Sequence, residues 1–389
     1  MNPRRILILL AVAVVVVGAA LWLANSRAPA STEAGAKVLP ALSGSINSVT
    51  ELHVVTAGGK EAVTLKRDER NWRVAERDGY PADSAKLRKL LIALGDLATI
   101  EEKTADPESY ARLGVEDPAR EGAASVRVDL VGLEKPASLV VGKSAGGDSS
   151  YVRVADATTS LQAKPMLSVE RDPRQWLERA IVDVGQDRVQ SVRISPANGK
   201  PYEIARENRH EANFAATNLP KGKSLSSPSA ANHIAGALAS LSLDDVHRAP
   251  TADDAAAAEW TKGVDSADFT LFDGTTLRVT GRKDGDKHLI RVATTFDEER
   301  HRHFAEPTPP AETAPPIGAA ATTAPAAVAA ADAAKTTVAT PAESPAETLA
   351  EARKAATTAG ARVEGWVYEI PAYKYETLFQ PLDDLLSKP

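Results

Sequence analysis

The chain has 389 residues and a mild net charge of −6, from 46 lysines and arginines against 52 aspartates and glutamates. This mixed balance without a basic stripe excludes a typical nucleic-acid-binding surface, and an aromatic content of 5% argues against a stacking platform for sugars or bases. The sequence contains no cysteine, which excludes disulfides and lipoprotein acylation. Stability must therefore come from a packed apolar core.

The chain begins with an uninterrupted apolar run from Ile6 to Ala24, preceded by Arg4 and Arg5. As a helix this run would reach roughly 28 Å, close to the thickness of the hydrocarbon core of a bilayer. The two arginines place the N-terminus in the cytoplasm by the positive-inside rule. The run predicts a single-pass anchor in the bacterial inner membrane, with the body exported to the periplasm. A cleaved signal peptide is the alternative, although its apolar core usually spans only about 7–15 residues.

The first folded unit is predicted over residues 46–180. Short alternating strands flank Gly58-Gly59-Lys60, which is typical of a hairpin. Asp83 is a good N-cap for a helix over 84–97, because its carboxylate can accept from the first free amides. The leucines of that helix recur at helical spacing and predict one buried face.

The same order of elements returns over residues 181–304 and 361–389. Three pairs of corresponding positions are separated by 140, 144 and 143 residues: Val49 and Val189, Leu90 and Ile234, Val126 and Phe269. A nearly constant offset indicates two tandem, similar units of short antiparallel strands packed with a helix. The predicted fold class is therefore α+β, with an N-terminal transmembrane helix before the two units.

An Ala-, Pro- and Thr-rich segment over 305–360 interrupts the second unit. Such a composition buries too little apolar surface to offset the entropy of ordering, so this insert is predicted to be disordered. The predicted organisation is a cytoplasmic stub 1–5, an anchor 6–24, a flexible spacer 25–45, a first unit 46–180, a second unit 181–304 plus 361–389, and the insert 305–360.

Short motifs in the first unit resemble the domain-of-unknown-function 4340 (DUF4340) family. They are Trp72-Arg73-Val74, Tyr80-Pro81-Ala82-Asp83, Leu113-Gly114-Val115 with Pro118, Val141-Gly142 and Tyr151-Val152. The resemblance covers 46–180 well and the rest loosely. It implies an anchored, exported protein with a transport-linked or envelope-linked role, because some members are encoded beside gliding-type ABC transporter components. The family has no established catalytic residues, so none is transferred to this chain.

Two catalytic motifs are formally present in one stretch. Gly142-Lys143-Ser144 resembles the end of a phosphate-binding loop, but the glycine required at 137 is alanine. Residues 142–146 also read G-x-S-x-G, which would make Ser144 the nucleophile of a hydrolase if a helix followed. Because a turn and another strand are predicted to follow, a hairpin is the preferred interpretation.

Other candidate side chains have structural interpretations that we prefer. His301 and His303 with Glu298 and Glu299 could ligate a metal on an extended chain, but interleaved arginines favour a solvated charged edge. The tryptophans at 72, 176, 260 and 366 are predicted to pack in the core. The acidic pairs at 244–245 and 383–384 are predicted at helix ends or on the surface. We therefore predict no catalytic, cofactor-binding or metal-binding residues.

Three functions follow as hypotheses. The preferred one is a non-enzymatic, membrane-anchored accessory or scaffold protein with an envelope or transporter protein as partner, without nucleic acid or cofactor. The first alternative is a domain that binds cell-envelope polysaccharide or peptidoglycan. The second alternative is a hydrolase that uses Ser144.

Overall fold

The computed structural model describes residues 34–387 apart from 70, 218, 252 and 305–348. The chain divides into two compact units between Arg179 and Ala180. Each unit is built on one large antiparallel sheet.

Nine strands form the sheet of the first unit. They are β1 Glu51–Thr56, β2 Lys60–Asp68, β3 Asn71–Val74, β4 Tyr80–Pro81, β5 Ala98–Thr104, β6 Val126–Val131, β7 Ala137–Ser144, β8 Ser150–Val154 and β9 Ser160–Lys164. Their order across the sheet is β4-β3-β2-β1-β6-β7-β8-β9-β5. The helices of this unit are α1 Ser84–Asp96 and α2 Tyr110–Leu113.

Helix α1 begins where the sequence predicts. The Asp83 carboxylate accepts hydrogen bonds from the backbone N of Ala85 at 3.0 Å and of Lys86 at 2.9 Å, which satisfies two of the free amides of the first turn. The leucines at 87, 90, 91 and 94 are buried. Burial of each such side chain stabilises the fold by about 1.5–3 kcal/mol, so one apolar face holds α1 to the core.

The second unit contains an eight-stranded sheet and a two-stranded sheet. Its strands are β10 Ala180–Val182, β11 Val189–Ser195, β12 Tyr202–Ala205, β13 Ala215–Thr217, β14 Leu241–Ser242, β15 Asp245–Arg248, β16 Asp265–Leu271, β17 Thr275–Asp284, β18 Lys287–Phe296 and β19 Trp366–Glu369. The large sheet has the order β13-β12-β11-β16-β17-β18-β19-β15, and β10 pairs with β14. The helices are α3 Asn232–Ala235, α4 Glu298–Phe304, α5 Leu349–Val363 and α6 Ala372–Leu378.

The two large sheets share one strand order. In chain order, β11, β12 and β13 take the places of β1, β2 and β3, β15 takes the place of β5, and β16 to β19 take the places of β6 to β9. The burial pattern fixes the alignment of the first pair, because Leu52 and Val54 of β1 and Val192 and Ile194 of β11 are all fully buried. Equivalent positions in the two sheets can therefore be compared residue by residue.

The predicted α+β fold class is wrong, because the described part of the chain is mostly sheet with few helices. The helix expected around Ile234, the counterpart of Leu90, shrinks to α3. Gly236 follows α3, and the next backbone bonds run from Ala237 N to Ile234 O and from Ala239 N to Gly236 O, both at 3.0 Å. These span three residues, which is the pattern of tight turns.

The prediction of a transmembrane helix is also corrected. The stretch Ile6–Ala24 lies outside the described residues. Over 34–304 and 349–387, no helix has both the length and the apolar character that a membrane crossing requires. The longest one whose bounds are given above, α5, has 15 residues, against the roughly 20 that a bilayer core needs. The predicted inner-membrane location has no support in the structure.

The prediction of disorder is wrong for the last part of the insert. Residues 305–348 lie outside the described part, but 349–360 belong to helix α5. This stretch has no proline and is rich in alanine, the strongest helix former. Ala352, Ala356 and Gly360 recur at four-residue spacing and are buried, so the helix gains a packed face that composition alone does not reveal.

Candidate ligand groove on the second sheet

Ser144 does not lie in a nucleophile elbow. It ends β7, and a turn returns the chain directly to β8. An elbow requires a helix immediately after the serine. The Ser144 Oγ accepts from the backbone N of Gly146 at 3.4 Å, at the long limit of a hydrogen bond. The serine is thus part of a hairpin end.

Gly142 and Lys143 pack against the end of helix α2 and form no phosphate loop. A Cβ on Gly142 would lie 2.6 Å from the carbonyl oxygen of Leu113. Lys143 Nζ donates to the carbonyl oxygen of Arg112 at 3.1 Å, one of the carbonyls that the end of a helix leaves free. Two motifs of the family resemblance, Leu113-Gly114-Val115 and Val141-Gly142, therefore pack against each other.

The two histidines that could have shared a metal point in different directions. They lie on helix α4, where residues two apart face away from each other. His301 is buried, and its Nδ1 lies 2.9 Å from the carbonyl oxygen of Asp273. His303 packs edge-on against Phe304 with ring centroids 4.7 Å apart. No cluster of potential metal ligands occurs within the described ranges.

The acidic pairs have local roles. Asp245 is buried in β15, and its Oδ1 accepts from the backbone N of Val246 at 2.8 Å. Asp383 and Asp384 lie in the first turn of a short 3-10 helix, Leu382–Leu385. In that position a carboxylate faces the positive end of the local backbone dipoles. These residues show no arrangement for acid–base chemistry.

The tryptophans fall into two groups. Trp176 is buried in the first unit and donates from Nε1 to the carbonyl oxygen of Glu170 at 3.1 Å. Trp72 is half-buried on β3. In the second unit Trp366 is buried as predicted and Trp260 is half-buried, and both border an open cavity. This cavity lies on the face of the sheet opposite the core.

An equivalent row of residues crosses both sheets on that face. In the first sheet the paired residues are Val55, Arg127, Val140 and Arg153. In the second sheet they are Ser195, Ser266, Thr280 and Arg291. Because Val54 and Ile194 are equivalent, the next residues along, Val55 and Ser195, are equivalent too. Arg153 and Arg291 therefore occupy the same position in the two sheets.

The guanidinium of Arg153 is buried and hydrogen-bonded within its own unit. It is 7% exposed and lies under the ring of Tyr110, 4.9 Å from the ring centroid. Its Nε donates to the carbonyl oxygen of Val115 at 3.0 Å, and its Nη1 donates to those of Ala155 at 3.0 Å and Ala157 at 3.1 Å. Val115 and the ring of Tyr110 come from the segment that precedes β6, whereas Ala155 and Ala157 lie in the turn between β8 and β9.

Arg291 has the aromatic partner without the carbonyls. Its guanidinium lies 5.5 Å from the ring centroid of Trp260, as in a cation–π pair. Residues 111–125 separate Tyr110 from β6, whereas only residues 261–264 separate Trp260 from β16. The shorter connector has no segment to lie over the arginine. In the described chain, neither a carboxylate nor a carbonyl hydrogen-bonds the Arg291 guanidinium.

The space that the connector leaves is a cavity of about 420 Å³, which we call the Arg291 groove. Its volume falls within the range of about 300–1,000 Å³ typical of ligand sites. The residues that define it are Trp260, Arg278, Thr280, Arg291, Ala293 and Trp366.

The neighbouring arginines already have carboxylate partners. Arg278 donates to both carboxylate oxygens of Asp268, at 2.6 and 3.0 Å, and this bond raises the pKa of the Arg278 guanidinium. Arg282 pairs with Asp284 at 3.1 Å and also with Glu259. Arg291 is thus the arginine of the groove that forms no ion pair with a described carboxylate.

Sequence patterns point to part of this site. The core prediction is confirmed for Trp366, which is buried, whereas Trp260 is half-buried and borders the groove. One arginine between Ile290 and Val292 looks like an ordinary outward residue of a strand, so the sequence does not single out Arg291. The difference between Arg153 and Arg291 depends on exact strand ends, which sequence patterns locate poorly.

Comparison with known proteins gives one finding on the family. The family model described as "Domain of unknown function (DUF4340)" matches residues 72–263. No curated protein and no solved structure matches the chain. The matched region begins at Trp72 and runs through the tyrosine, glycine and aspartate motifs that shape the first unit, and it ends just after Trp260. The chain belongs to the DUF4340 family.

Proposed function

We propose that this protein is a non-enzymatic accessory protein that binds a segment of a partner protein in the Arg291 groove. The observation that supports the proposal is an arginine without a protein acceptor, held between a rigid sheet and an indole ring beside an open cavity. Binding sites commonly combine aromatic walls with a few polar groups that fix orientation. The partner class implied by the family resemblance is a component of a transporter or envelope complex.

Site-specific photo-crosslinking tests the location of the partner. A photoreactive phenylalanine analogue replaces Ala293, which is exposed and borders the groove. The matched control carries the analogue at Ile92, a 45% exposed residue of helix α1 in the first unit. We expect one discrete protein adduct from position 293 that is absent from position 92, and we expect the purified partner to bind the full chain.

An occlusion variant tests whether the groove itself is the site. Ala293→Trp fills the cavity with an indole, whereas Thr217→Trp adds the same ring to the exposed edge strand β13. We expect Ala293→Trp to lower the affinity for the purified partner at least tenfold, as measured by calorimetry, and Thr217→Trp to leave that affinity unchanged. Equal affinity of the two variants would refute binding at the groove, and capture of polysaccharide in place of protein would favour an envelope-glycan module.

A further inference from the structure

We propose that the Arg291 groove recognises a carboxylate, supplied by an acidic side chain or a free C-terminus of an extended peptide segment. This inference rests on the proposed function and adds the chemistry of the ligand. It is based on the comparison of two equivalent arginines, one saturated by its own unit and one not.

The first unit shows what the position requires. Three carbonyl oxygens lie within 3.1 Å of the Arg153 guanidinium. A guanidinium carries five N–H donors in a fixed fork and no acceptor. Among the described residues of the second unit no such oxygen hydrogen-bonds Arg291, because the connector before β16 is short and because β18 continues to Phe296 where β8 ends at Val154. Ligand oxygens at this site would therefore replace acceptors that the fold supplies elsewhere.

The local charge favours a carboxylate over a phosphate. Asp268 pairs with Arg278, so Arg291 is the lining arginine that is left to contact the ligand. Glu364 also lines the groove, and its negative charge lowers the local positive potential further. A dianionic phosphate would bring more negative charge than one arginine balances, whereas a carboxylate matches it and fits the planar fork in bidentate geometry.

The walls favour a short peptide segment as the body of the ligand. Trp260 supplies aromatic surface beside the arginine, the buried Trp366 also lines the cavity, and the floor is the half-exposed Thr280. A cavity of about 420 Å³ is too small for a folded surface and suits a few residues of extended chain. Aromatic walls with one charged anchor are the composition expected for such a segment.

The probe is a set of fluorescein-labelled hexapeptides in two matched versions, measured by anisotropy on the full chain. One version contains Glu and Asp and a free C-terminus, and the other contains Gln and Asn and an amidated C-terminus. We expect binders in the acidic version only, with the neutral counterparts at least tenfold weaker. Neutral peptides that bind equally well would refute recognition of a carboxylate, and they would leave the proposed function intact.

A charge-matched pair of variants avoids dependence on Arg291 for folding. Ala293 and Arg291 are two residues apart on β18 and face the same side. Ala293→Glu places a tethered carboxylate within reach of the guanidinium, and Ala293→Gln is its neutral isostere. We expect Ala293→Glu to lower the affinity for the acidic peptides at least tenfold more than Ala293→Gln does. Arg291→Gln should lower this affinity by a similar factor to Ala293→Glu.

Competition of small anions with the labelled peptides distinguishes a carboxylate site from a phosphate site. Inorganic phosphate that displaces the peptides at lower concentration than acetate would overturn the proposal in favour of phosphate. A loss that is equal for Ala293→Glu and Ala293→Gln would overturn it as well, because shape would then decide the binding. If no peptide binds and position 293 gives no photo-crosslink, both the proposed function and the recognition of a carboxylate are refuted.

Discussion

The contrast between Arg153 and Arg291 gives the sharpest prediction on stability. Arg153→Gln removes three hydrogen bonds that a charged group donates. The carbonyl oxygens of Val115, Ala155 and Ala157 then lose this donor. Each such bond to a charged group contributes about 1.5–3 kcal/mol. Arg291→Gln removes only a cation–π contact of about 0.5–1 kcal/mol.

Urea denaturation of both variants, followed by circular dichroism, measures the free energies of unfolding. Hydrogen exchange read by mass spectrometry assigns each loss to its unit, since Arg153 and Arg291 belong to different units. We expect the first variant to lose at least about 2 kcal/mol more than the second, with faster exchange confined to β6, β7 and β8. Equal losses would mean that Arg291 is also a structural residue, and the comparison of the two sheets would be refuted.

Three further predictions concern single contacts. Gly142→Ala should lower the free energy of unfolding by about 1–3 kcal/mol, because the new methyl group would overlap the carbonyl oxygen of Leu113; an unchanged urea midpoint would contradict this. Lys143→Met should cost about 1 kcal/mol by removing the donor at the end of helix α2, and a thermal melt checks it. The Tyr375 hydroxyl donates to Asp265 at 2.6 Å, and burial and this bond raise the pKa of Tyr375. Its contribution to stability is therefore complete below about pH 10 and is lost as the pH rises further. Tyr375→Phe should flatten the alkaline decline in denaturation curves, and an unaltered decline would count against the assigned bond.

Local chemistry explains which parts of the fold the sequence predicts. Asp83 and the leucines of α1 act within one turn of each other, so their spacing alone predicts the helix. Strand alternation places Val54 and Val192 inside for the same reason. The helix in the second unit fails because Gly236 lies inside the apolar pattern, and helix α5 is missed because its buried alanines gain stability only from the sheet they pack on.

The candidate groove depends on a long-range comparison. Arg153 and Arg291 look alike along the chain, since each lies between apolar residues of a strand. Two features separate them: the connector that precedes β6 or β16, and the end of the strand, since β8 ends at Val154 whereas β18 continues from Arg291 to Phe296. Side-chain patterns report neighbours within a few residues, so a carbonyl oxygen such as that of Val115, 38 residues from Arg153, is outside such patterns.

The short link 261–264 has a consequence for variation in this fold. It joins two fixed points, Trp260 and the start of β16, without taking part in any strand pairing of the large sheet. Residues can be inserted there at little entropic cost. A longer link has room to lie over Arg291 as residues 111–125 lie over Arg153, where the carbonyl oxygen of Val115 accepts from the guanidinium. Such an insertion would add an acceptor to the open arginine while the hydrogen-bonded ladder stays unchanged.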